Sequence, residues 1–376
     1  MTSRERIKTV LRGEIPDCVP VDPDISNMIP CRLTGKPFWD IYVRQDPPLW
    51  KAYIDAVKYF GIDGGVGSLY SVDIFEDDKC DKPENRIVHR NEDGSFVTQE
   101  YFPKSGTWSE FVVVHTADQP PPSWLRPQTI GLPPVPSTWE PVTGVKEWPT
   151  GIELWKLVKK EMGEHGVVPV LSGMCTLLLN GAEGIYEYYD HPEKTHERRE
   201  QMMDAVEKRM NIIAGLDEKP DLILCGGSGT LVFQTPDFVR EMVIPMLKKT
   251  AGMAYDLGIP THVHSCGPEK ELVKMVAEET RVTVIDPLEM PPMGNCDLKE
   301  LKRLYGKKIV LKGNLHTTDV MLRGTVDDVV RASKKAIDDA AEGGRFILST
   351  GDQCGRDTPF ENIHAMVETA RTYGRY

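Results

Sequence analysis

The chain lacks several patterns that would assign a protein quickly. None of its eight cysteines forms a C-x-x-C pair. No G-x-G-x-x-G or G-x-x-x-x-G-K-[ST] sequence opens a helix, which excludes the phosphate-binding loops of dinucleotide-binding domains and P-loop NTPases. Cysteines scattered through 376 residues argue against a disulfide framework and for reduced thiols, most of them packing residues in the core.

Basic clusters and long apolar runs are also missing. The net charge is −12, from 45 Lys and Arg against 57 Asp and Glu, which disfavours nucleic acid or an anionic membrane as partner. The most apolar run, residues 167–179, contains Pro169 and Gly173 and is too short to cross a bilayer. The first residues show no hydrophobic signal region. We therefore expect a cytoplasmic protein that acts on small molecules or on another protein.

What the chain does contain, from residue 150 onward, is a regular alternation of short apolar runs and amphipathic helices. Six β–α units follow one another, with apolar runs at 167–171, 222–225, 261–264, 282–285, 309–312 and 345–348. The helices that follow these runs are predicted around 187–216 and at 236–257, 268–279, 298–305, 326–342 and 359–373. Earlier in the chain, strands are predicted at 15–21 and 64–68, and helices at 3–13 and 39–60. Eight strands in this order predict an α/β fold, a single (β/α)8 TIM barrel over residues 1–376.

One region interrupts the barrel pattern in the N-terminal third. Between about residues 80 and 149, apolar and polar residues alternate at 86–89, 95–102 and 108–115 around Asp-Gly and Ser-Gly turns, which predicts an antiparallel β insertion. Behind it lies a proline-rich loop with Trp124, Trp139 and Trp148. We expect this loop to cover part of a cleft or to form a subunit contact, and a homodimer is possible.

The residues with metal-binding chemistry follow the predicted strands. His264 and Cys266 are two positions apart at the end of one strand, so their side chains project to the same side, and Cys354 follows another strand. One imidazole and two thiols are typical of a zinc site with three protein ligands and one open position. An H-x-C pattern alone is weak evidence for a metal site, and the third candidate ligand, Cys354 after another strand, strengthens that evidence. His262 lies two residues before His264, so on a regular strand its side chain points to the same side, one layer deeper in the barrel. We expect it to be a core histidine.

Acid–base candidates lie beside the proposed ligands. Glu289 is a candidate fourth zinc ligand or proton donor, and His316 and Asp352 are further candidates for supplying or taking a proton. Each has an equally simple structural reading as a loop, turn or capping residue. Two thiolates make zinc a mild Lewis acid, which suits methyl transfer to or from sulfur or oxygen better than hydrolysis by an activated water.

Several motifs carry a resemblance to a known family. They are Thr2-Ser-Arg-Glu-Arg, Pro16-Asp-Cys-Val-Pro, Val263-His-Ser-Cys-Gly, Leu311-Lys-Gly-Asn-Leu and Thr358-Pro-Phe-Glu-Asn. With them the chain resembles the uroporphyrinogen decarboxylase superfamily, and within it the zinc-containing, corrinoid-linked methyltransferases. The resemblance implies a barrel, zinc bound by His264, Cys266 and Cys354, and a methyl group exchanged with the cobalt of a separate corrinoid protein.

The sequence also departs from this family in two respects. It lacks the Arg-rich N-terminal motif of true decarboxylases, and the segment 22–27 is acidic, which disfavours a porphyrin substrate. The long insertion distinguishes it from the coenzyme M enzymes, so O-demethylation of a methoxylated compound stays open. Two other readings remain: a metal-free decarboxylase of a smaller substrate that uses Asp22 or Asp24, and a non-catalytic subunit of a corrinoid complex.

Overall fold

The computed structural model describes residues 1–65, 72–75, 81–122, 124–179, 181–232 and 234–376. Its strands are β1 (Glu84–Arg90), β2 (Phe96–Phe102), β3 (Thr107–His115), β4 (Glu140–Pro141), β5 (Val170–Leu171), β6 (Ile223–Leu224), β7 (Thr261–His264), β8 (Val284–Asp286), β9 (Val310–Leu315) and β10 (Phe346–Thr350). Strands β1 to β4 form one sheet and β5 to β10 form another.

The larger sheet is the wall of the barrel. Strands β5 to β10 are parallel, and each pairs with the next one along the chain. Two extended segments close the ring, because Val21 bridges Leu348 of β10 and Gly64 bridges Gly166 just before β5. The N–H of Asp63 donates to the carbonyl of Val21 at 2.7 Å, so these segments also contact each other. The predicted (β/α)8 barrel is confirmed.

The two N-terminal strands are less regular than predicted. In the segment 15–21, Cys18 and Val21 form isolated bridges only, because Pro16 and Pro20 lack the N–H groups that a continuous ladder needs. Of the predicted strand at 64–68, Gly64 forms a bridge, and residues 66–68 lie outside the described residues.

Helices cover the outside of the barrel. They are α1 (Ser3–Leu11), α2 (Met28–Thr34), α3 (Phe38–Tyr42), α4 (Leu49–Phe60), α5 (Gly151–Met162), α6 (Gly181–Asp190), α7 (Pro192–Gly215), α8 (Pro236–Phe238), α9 (Ile244–Asp256), α10 (Lys270–Glu279), α11 (Leu298–Tyr305), α12 (Val326–Ala340) and α13 (Phe360–Thr372). π-Helical turns span Val239–Val243 and Thr317–Leu322. Among the described residues, no helix is long and apolar enough to cross a membrane.

The prediction of one helix over 39–60 is wrong. The chain forms α3 and α4 instead, separated by a loop that contains Pro47 and Pro48. Proline has no N–H to donate and clashes with the preceding turn, so a helix cannot continue through Pro47 and Pro48, and α4 begins directly after Pro48. Gly61 then ends α4 in the left-handed conformation, with φ of 69°.

The predicted β insertion is present in the described residues after Cys80. β2 pairs antiparallel with both β1 and β3, and the short β4 extends the sheet beside β1. The loop that follows leaves Trp124 75% exposed and Trp139 46% exposed. Arg86 stacks on the Trp139 ring at 3.8 Å, which fixes the loop against the sheet.

Candidate active site

At the ends of β7 and β8, two histidines contact one carboxylate. His264 pairs with Asp286 in the parallel ladder, and His262 lies two residues earlier on the same strand. Oδ1 of Asp286 is 3.0 Å from Nδ1 of His264 and 2.8 Å from Nε2 of His262. Since alternate residues of a strand face the same side, both rings point into the barrel, and His262 is the buried core histidine that was predicted.

The pKa values of the two imidazoles are shifted in opposite directions. Burial lowers the pKa of His262, and Asp286 compensates only in part. Burial also disfavours the charged form of His264, but the Asp286 carboxylate and its hydrogen bond outweigh this and raise the pKa of His264 well above its ordinary value. Although burial opposes it, the two histidines and Lys312 hold the pKa of Asp286 well below the ordinary range. Asp286 is therefore a permanent carboxylate that orients His264.

Cys266 is the accessible thiol of this region. It is partly exposed, whereas Cys18, Cys31, Cys175, Cys225, Cys296 and Cys354 are buried. A hydrogen bond with His264 lowers the pKa of the Cys266 thiol against the effect of burial, and Ser228 contributes, with its Oγ 3.5 Å from the sulfur. A thiol with a lowered pKa is a better nucleophile and a better metal ligand at neutral pH.

The loop after β10 brings Cys354 to the same region of the mouth. Its backbone N–H donates to the carbonyl of Asp24 at 2.8 Å, and its side chain is fully buried. Burial raises the pKa of the Cys354 thiol to about 12, and the negative charges of Asp24 and Asp352 add to this. The same two carboxylates act electrostatically on His264. Cys354 and His264 therefore share these two charged neighbours.

His264, Cys266 and Cys354 carry the imidazole and thiol groups that bind zinc, although they do not form a complete ligand set. Within the described ranges, no group of three or more His, Cys, Asp or Glu side chains is placed to hold a metal ion. His264 nevertheless has the usual arrangement of a metal-binding imidazole, since its Nδ1 is held by a carboxylate, which leaves Nε2 as the nitrogen that would face a metal ion. Oδ1 of Asp352 lies 3.7 Å from that Nε2 and is buried without a hydrogen-bond partner among the described residues. A thiol, an imidazole and an unpaired buried carboxylate are suitable donors for a divalent cation.

Glu289 lies on the loop after β8 and faces the same mouth. Its Oε2 accepts a hydrogen bond from the N–H of Gly267, next to Cys266 in the chain. Burial raises the pKa of Glu289 above its ordinary value. Gly294 packs so closely that a Cβ there would lie 2.3 Å from the Glu289 carbonyl oxygen, so only glycine allows this loop conformation.

His316 has a defined tautomer. It caps the π-helical turn after β9, and its Nδ1 accepts the N–H groups of Thr318 at 3.2 Å and Asp319 at 3.0 Å. A nitrogen that accepts hydrogen bonds carries no proton, so the hydrogen of the neutral ring is on Nε2. This atom is buried and has no hydrogen-bond partner among the described residues. The geometry favours His316 as a hydrogen-bond donor over the general acid–base role considered from the sequence.

Two buried residues of the site were missed from the sequence. Lys312 is 1% exposed inside the barrel, with its Nζ 2.9 Å from Oδ2 of Asp22 and 3.3 Å from Oδ2 of Asp286. Its position in the apolar run Ile309-Val-Leu-Lys312 was the available signal, because a lysine inside a barrel strand needs carboxylate partners. Glu269 accepts the N–H of Leu288 at 2.6 Å and so supports the loop that carries Glu289.

Three comparisons place the chain among known proteins. The uroporphyrinogen decarboxylase (URO-D) profile matches residues 178–373. The methylcobamide:CoM methyltransferase MtbA of Methanosarcina mazei is 29% identical over 168 residues, which are 45% of this chain and 44% of that protein. The enzyme MtaA of Methanosarcina barkeri is 24% identical over 241 residues, 60% of this chain and 64% of that protein.

The match to MtbA covers less than half of that relative's length. A solved methyltransferase from Methanosarcina mazei superposes over 99% of both chains with a TM-score of 0.60 and 17% sequence identity, which supports the fold. The URO-D match covers more than half of the 376 residues and includes β6 to β10 with every proposed zinc ligand. The chain therefore belongs to the uroporphyrinogen decarboxylase (URO-D) family.

Proposed function

We propose that the protein is a zinc-dependent methyltransferase that moves a methyl group between a small methylated compound and the cobalt of a separate corrinoid protein. The observation that carries the proposal is the pair of His264 and Cys266. The imidazole is held by the Asp286 carboxylate, and the adjacent thiol has a lowered pKa, at the mouth of a URO-D barrel. The relatives MtbA and MtaA are methylcobamide:CoM methyltransferases, which supports the same reaction class.

In this proposal His264, Cys266 and Cys354 hold the zinc ion. When bound there, zinc supplies a mild Lewis acid that keeps a substrate thiol ionised or polarises an ether or alcohol oxygen. Asp286 holds Nδ1–H of His264, so that Nε2 is the nitrogen that would coordinate zinc once its proton has left. Asp352, close to that Nε2, is available as a further ligand or as a proton acceptor.

The protein's side chains position the substrate and manage one proton. In the demethylating direction, the bond between the methyl carbon and its heteroatom breaks, and its electron pair stays on the heteroatom. Cob(I)amide supplies the electron pair of the new Co–C bond, and a proton neutralises the heteroatom. Glu289 is the proposed proton donor, because burial raises its pKa and the Gly267 N–H fixes its orientation. In the reverse direction Glu289 takes the proton.

The rim of the barrel mouth suits a protein partner. Exposed apolar side chains follow three strands of the barrel: Met174 after β5, Val232 after β6 and Met293 after β8, with exposures of 49%, 42% and 60%. Exposed methionines around an opening are typical of surfaces that contact another protein. A corrinoid protein seated there would bring its cobalt over the strand ends, in line with the bound methyl group.

A methyl-transfer assay tests the proposal. Free cob(I)alamin serves as the corrinoid probe under anaerobic conditions, with a panel of methoxy, methylthio and methylamine compounds, and methylcob(III)alamin is followed by its absorbance. We expect turnover with at least one compound and a loss of more than about a hundredfold in Cys266→Ala. Cys31→Ala, which changes a buried cysteine of the core outside the site, should retain activity. Equal rates in wild type and Cys266→Ala would exclude a role for this thiol.

One observation favours a second candidate, the metal-free decarboxylase. Burial raises the pKa of Asp24 to about 6 and that of Asp22 to about 7, a range that suits a general acid. Asp22 is however 1% exposed and paired with Lys312. Carbon dioxide release from a carboxylated substrate by zinc-free protein would support this candidate. A folded protein that binds a corrinoid protein and turns over no methyl donor would instead indicate a non-catalytic subunit.

A further inference from the structure

A cleft lies beside the proposed active site, between the β8–α11 loop and α12. Its volume is about 490 Å³, which is within the range of small-molecule sites. Three parts of the fold supply its apolar lining: the β8–α11 loop with α11, the end of β9 with the turn that follows, and α12. The apolar residues are, in chain order, Met290, Leu298, Leu315, Val320, Ala332 and Ala336. Such a lining suits an apolar molecular body, and the alanines of α12 leave the space for it.

His316 connects this cleft with the active site. It lines the cleft and also a small adjoining cavity whose wall includes Glu289 and Gly351. Glu289 and His316 line the same small cavity, so the two side chains lie close together. A ligand in the cleft that contacts His316 would therefore extend toward Glu289 and the strand ends.

The tautomer of His316 determines what it recognises. The two backbone N–H groups bonded to Nδ1 fix the proton on Nε2, and the carboxylate Oδ2 of Asp319 is 3.8 Å from Nε2, outside hydrogen-bond range. A buried N–H donor without a partner is costly, and a ligand acceptor would remove that cost. His316 thus offers one neutral donor to the cleft.

The charges around the cleft argue against an anionic ligand. Lys335 lines it, but this side chain is 77% exposed and paired with Asp339 one helical turn away. Asp297 lines it as well, and its carboxylate caps α11 by accepting the N–H of Glu300 at 2.9 Å. With two carboxylates and one paired cation, the charged lining has a net charge of −1, so a ligand carboxylate or sulfonate would be repelled.

We propose that this cleft binds the non-reacting body of an uncharged methyl-bearing substrate, of the class of aryl methyl ethers, and that Nε2–H of His316 donates to an acceptor oxygen of that substrate. The assignment rests on the proposed methyltransferase function and specifies its substrate class. The substrate methyl group then points toward Glu289 and the zinc ligands, while the aromatic ring packs against the apolar wall.

A binding experiment tests this without corrinoid or turnover. The probes are 4-methoxyphenol, which is neutral at pH 7, and 4-methoxybenzoate, an anion of similar size; titration calorimetry gives the two dissociation constants. We expect the wild type to bind 4-methoxyphenol at least about tenfold more tightly than 4-methoxybenzoate. Absence of 4-methoxyphenol binding, or equal affinity for both probes, would overturn the proposal.

Two substitutions of His316 separate its donor from its structural role. Asparagine places an oxygen where histidine has Nδ1, so His316→Asn keeps the cap and removes the distal donor. We expect a Tm close to that of the wild type and about tenfold weaker binding of 4-methoxyphenol. Glutamine places its amide nitrogen near the position of Nε2, so His316→Gln should bind within about threefold of the wild type while losing thermal stability. Unchanged affinity in His316→Asn would contradict the assignment.

Filling the cleft provides a test that leaves His316 intact. Ala332→Leu adds bulk on the α12 wall and should weaken 4-methoxyphenol binding by about tenfold or more; wild-type affinity in this variant would place the ligand elsewhere. The outcomes also separate this inference from the function. Intact binding without any methyl transfer contradicts only the proposed reaction, whereas methyl transfer with a KM insensitive to His316→Asn and Ala332→Leu contradicts only the substrate cleft.

Discussion

At the scale of single residues, the site depends on a chain of buried charges. Lys312 contacts Asp22 and Asp286, and Asp286 in turn contacts His262 and His264. The pKa of Lys312 is raised above its ordinary value, because Asp22 and Asp286 outweigh the effect of burial. The lysine thus compensates the carboxylate that orients the proposed zinc-binding imidazole, and it does so from inside the barrel.

Removal of this cation should destabilise the protein. Lys312→Met leaves two carboxylates in an interior that no longer balances their charge, and we expect a loss of about 3–5 kcal/mol in the free energy of unfolding. Urea titration followed by circular dichroism measures it. The double variant Lys312→Met with Asp22→Asn should recover part of the loss, because one of the two carboxylates is then neutral. A single variant as stable as the wild type would show that the ion pairs contribute little.

Prediction from the sequence was uneven at this scale. The common direction of His262 and His264 on β7 was predictable, because the two-residue period of a strand fixes it. The partners of Lys312 depend on which strands are neighbours in the closed barrel, and its contact with Asp22 joins residues that a local pattern does not relate. The tautomer of His316 depends on the backbone N–H groups of the turn that follows it, which no residue pattern specified.

At the scale of elements, the β insertion contains a pH-sensitive packing contact. His115 at the end of β3 is 6% exposed, and its Nε2 is 2.8 Å from the hydroxyl of Thr98 on β2. Its ring stacks near Phe96 at 5.0 Å. Burial lowers the pKa of His115 from 6.5 to about 4, so the folded sheet holds this ring in the neutral form.

This contact predicts acid sensitivity of the insertion. Because the folded pKa of His115 is below its unfolded value, the unfolded chain binds more protons between pH 6.5 and 4, and stability is lost as the pH falls through that window. Between pH 7.5 and 5, His115 should account for about 2 kcal/mol of the loss in unfolding free energy. Urea titrations followed by tryptophan fluorescence should show a smaller loss in His115→Gln.

The exposed His165 provides the matched control. His165→Gln should keep the pH dependence of the wild type, because this side chain lies on the surface. If His115→Gln and the wild type lose the same stability between pH 7.5 and 5, the buried neutral state of His115 is not what makes the insertion acid-sensitive.

The boundaries of elements were predictable where the chain carries its own stop signals. α11 begins after Asp297, whose side chain caps it, and occupies the range that the apolar spacing predicted. Across residues 39–60 the apolar spacing predicted one helix, whereas the chain forms two, α3 and α4, with Pro47 and Pro48 between them. Similarly, Pro192 begins α7 and separates it from α6, where the sequence had suggested one continuous helix around 187–216. Apolar periodicity identifies the buried face, whereas proline and capping residues determine the ends.

At the scale of the whole molecule, the two ends of the chain close the barrel together. The buried Asp63 accepts hydrogen bonds from Arg6 of α1 at 2.7 Å and from Arg371 of α13 at 2.8 Å. The barrel itself was predictable, because each β–α unit is a local pattern and their number indicates closure. These long-range ion pairs were not, since they join residues 57 and 308 positions apart. Because the strands are parallel, the end of β7 with His264 and the end of β10, after which Cys354 follows, lie at the same end of this closed barrel.

X-ray absorption at the zinc K-edge is the most direct test of the central proposal. Protein loaded anaerobically with one equivalent of zinc should show two sulfur ligands at about 2.3 Å and nitrogen at about 2.0–2.1 Å. Cys266→Ala and Cys354→Ala should each lose one sulfur ligand and bind zinc more weakly, while Cys31→Ala should keep both. A wild-type spectrum without sulfur ligands, or full zinc retention with two sulfur ligands in both site variants, would contradict the proposal.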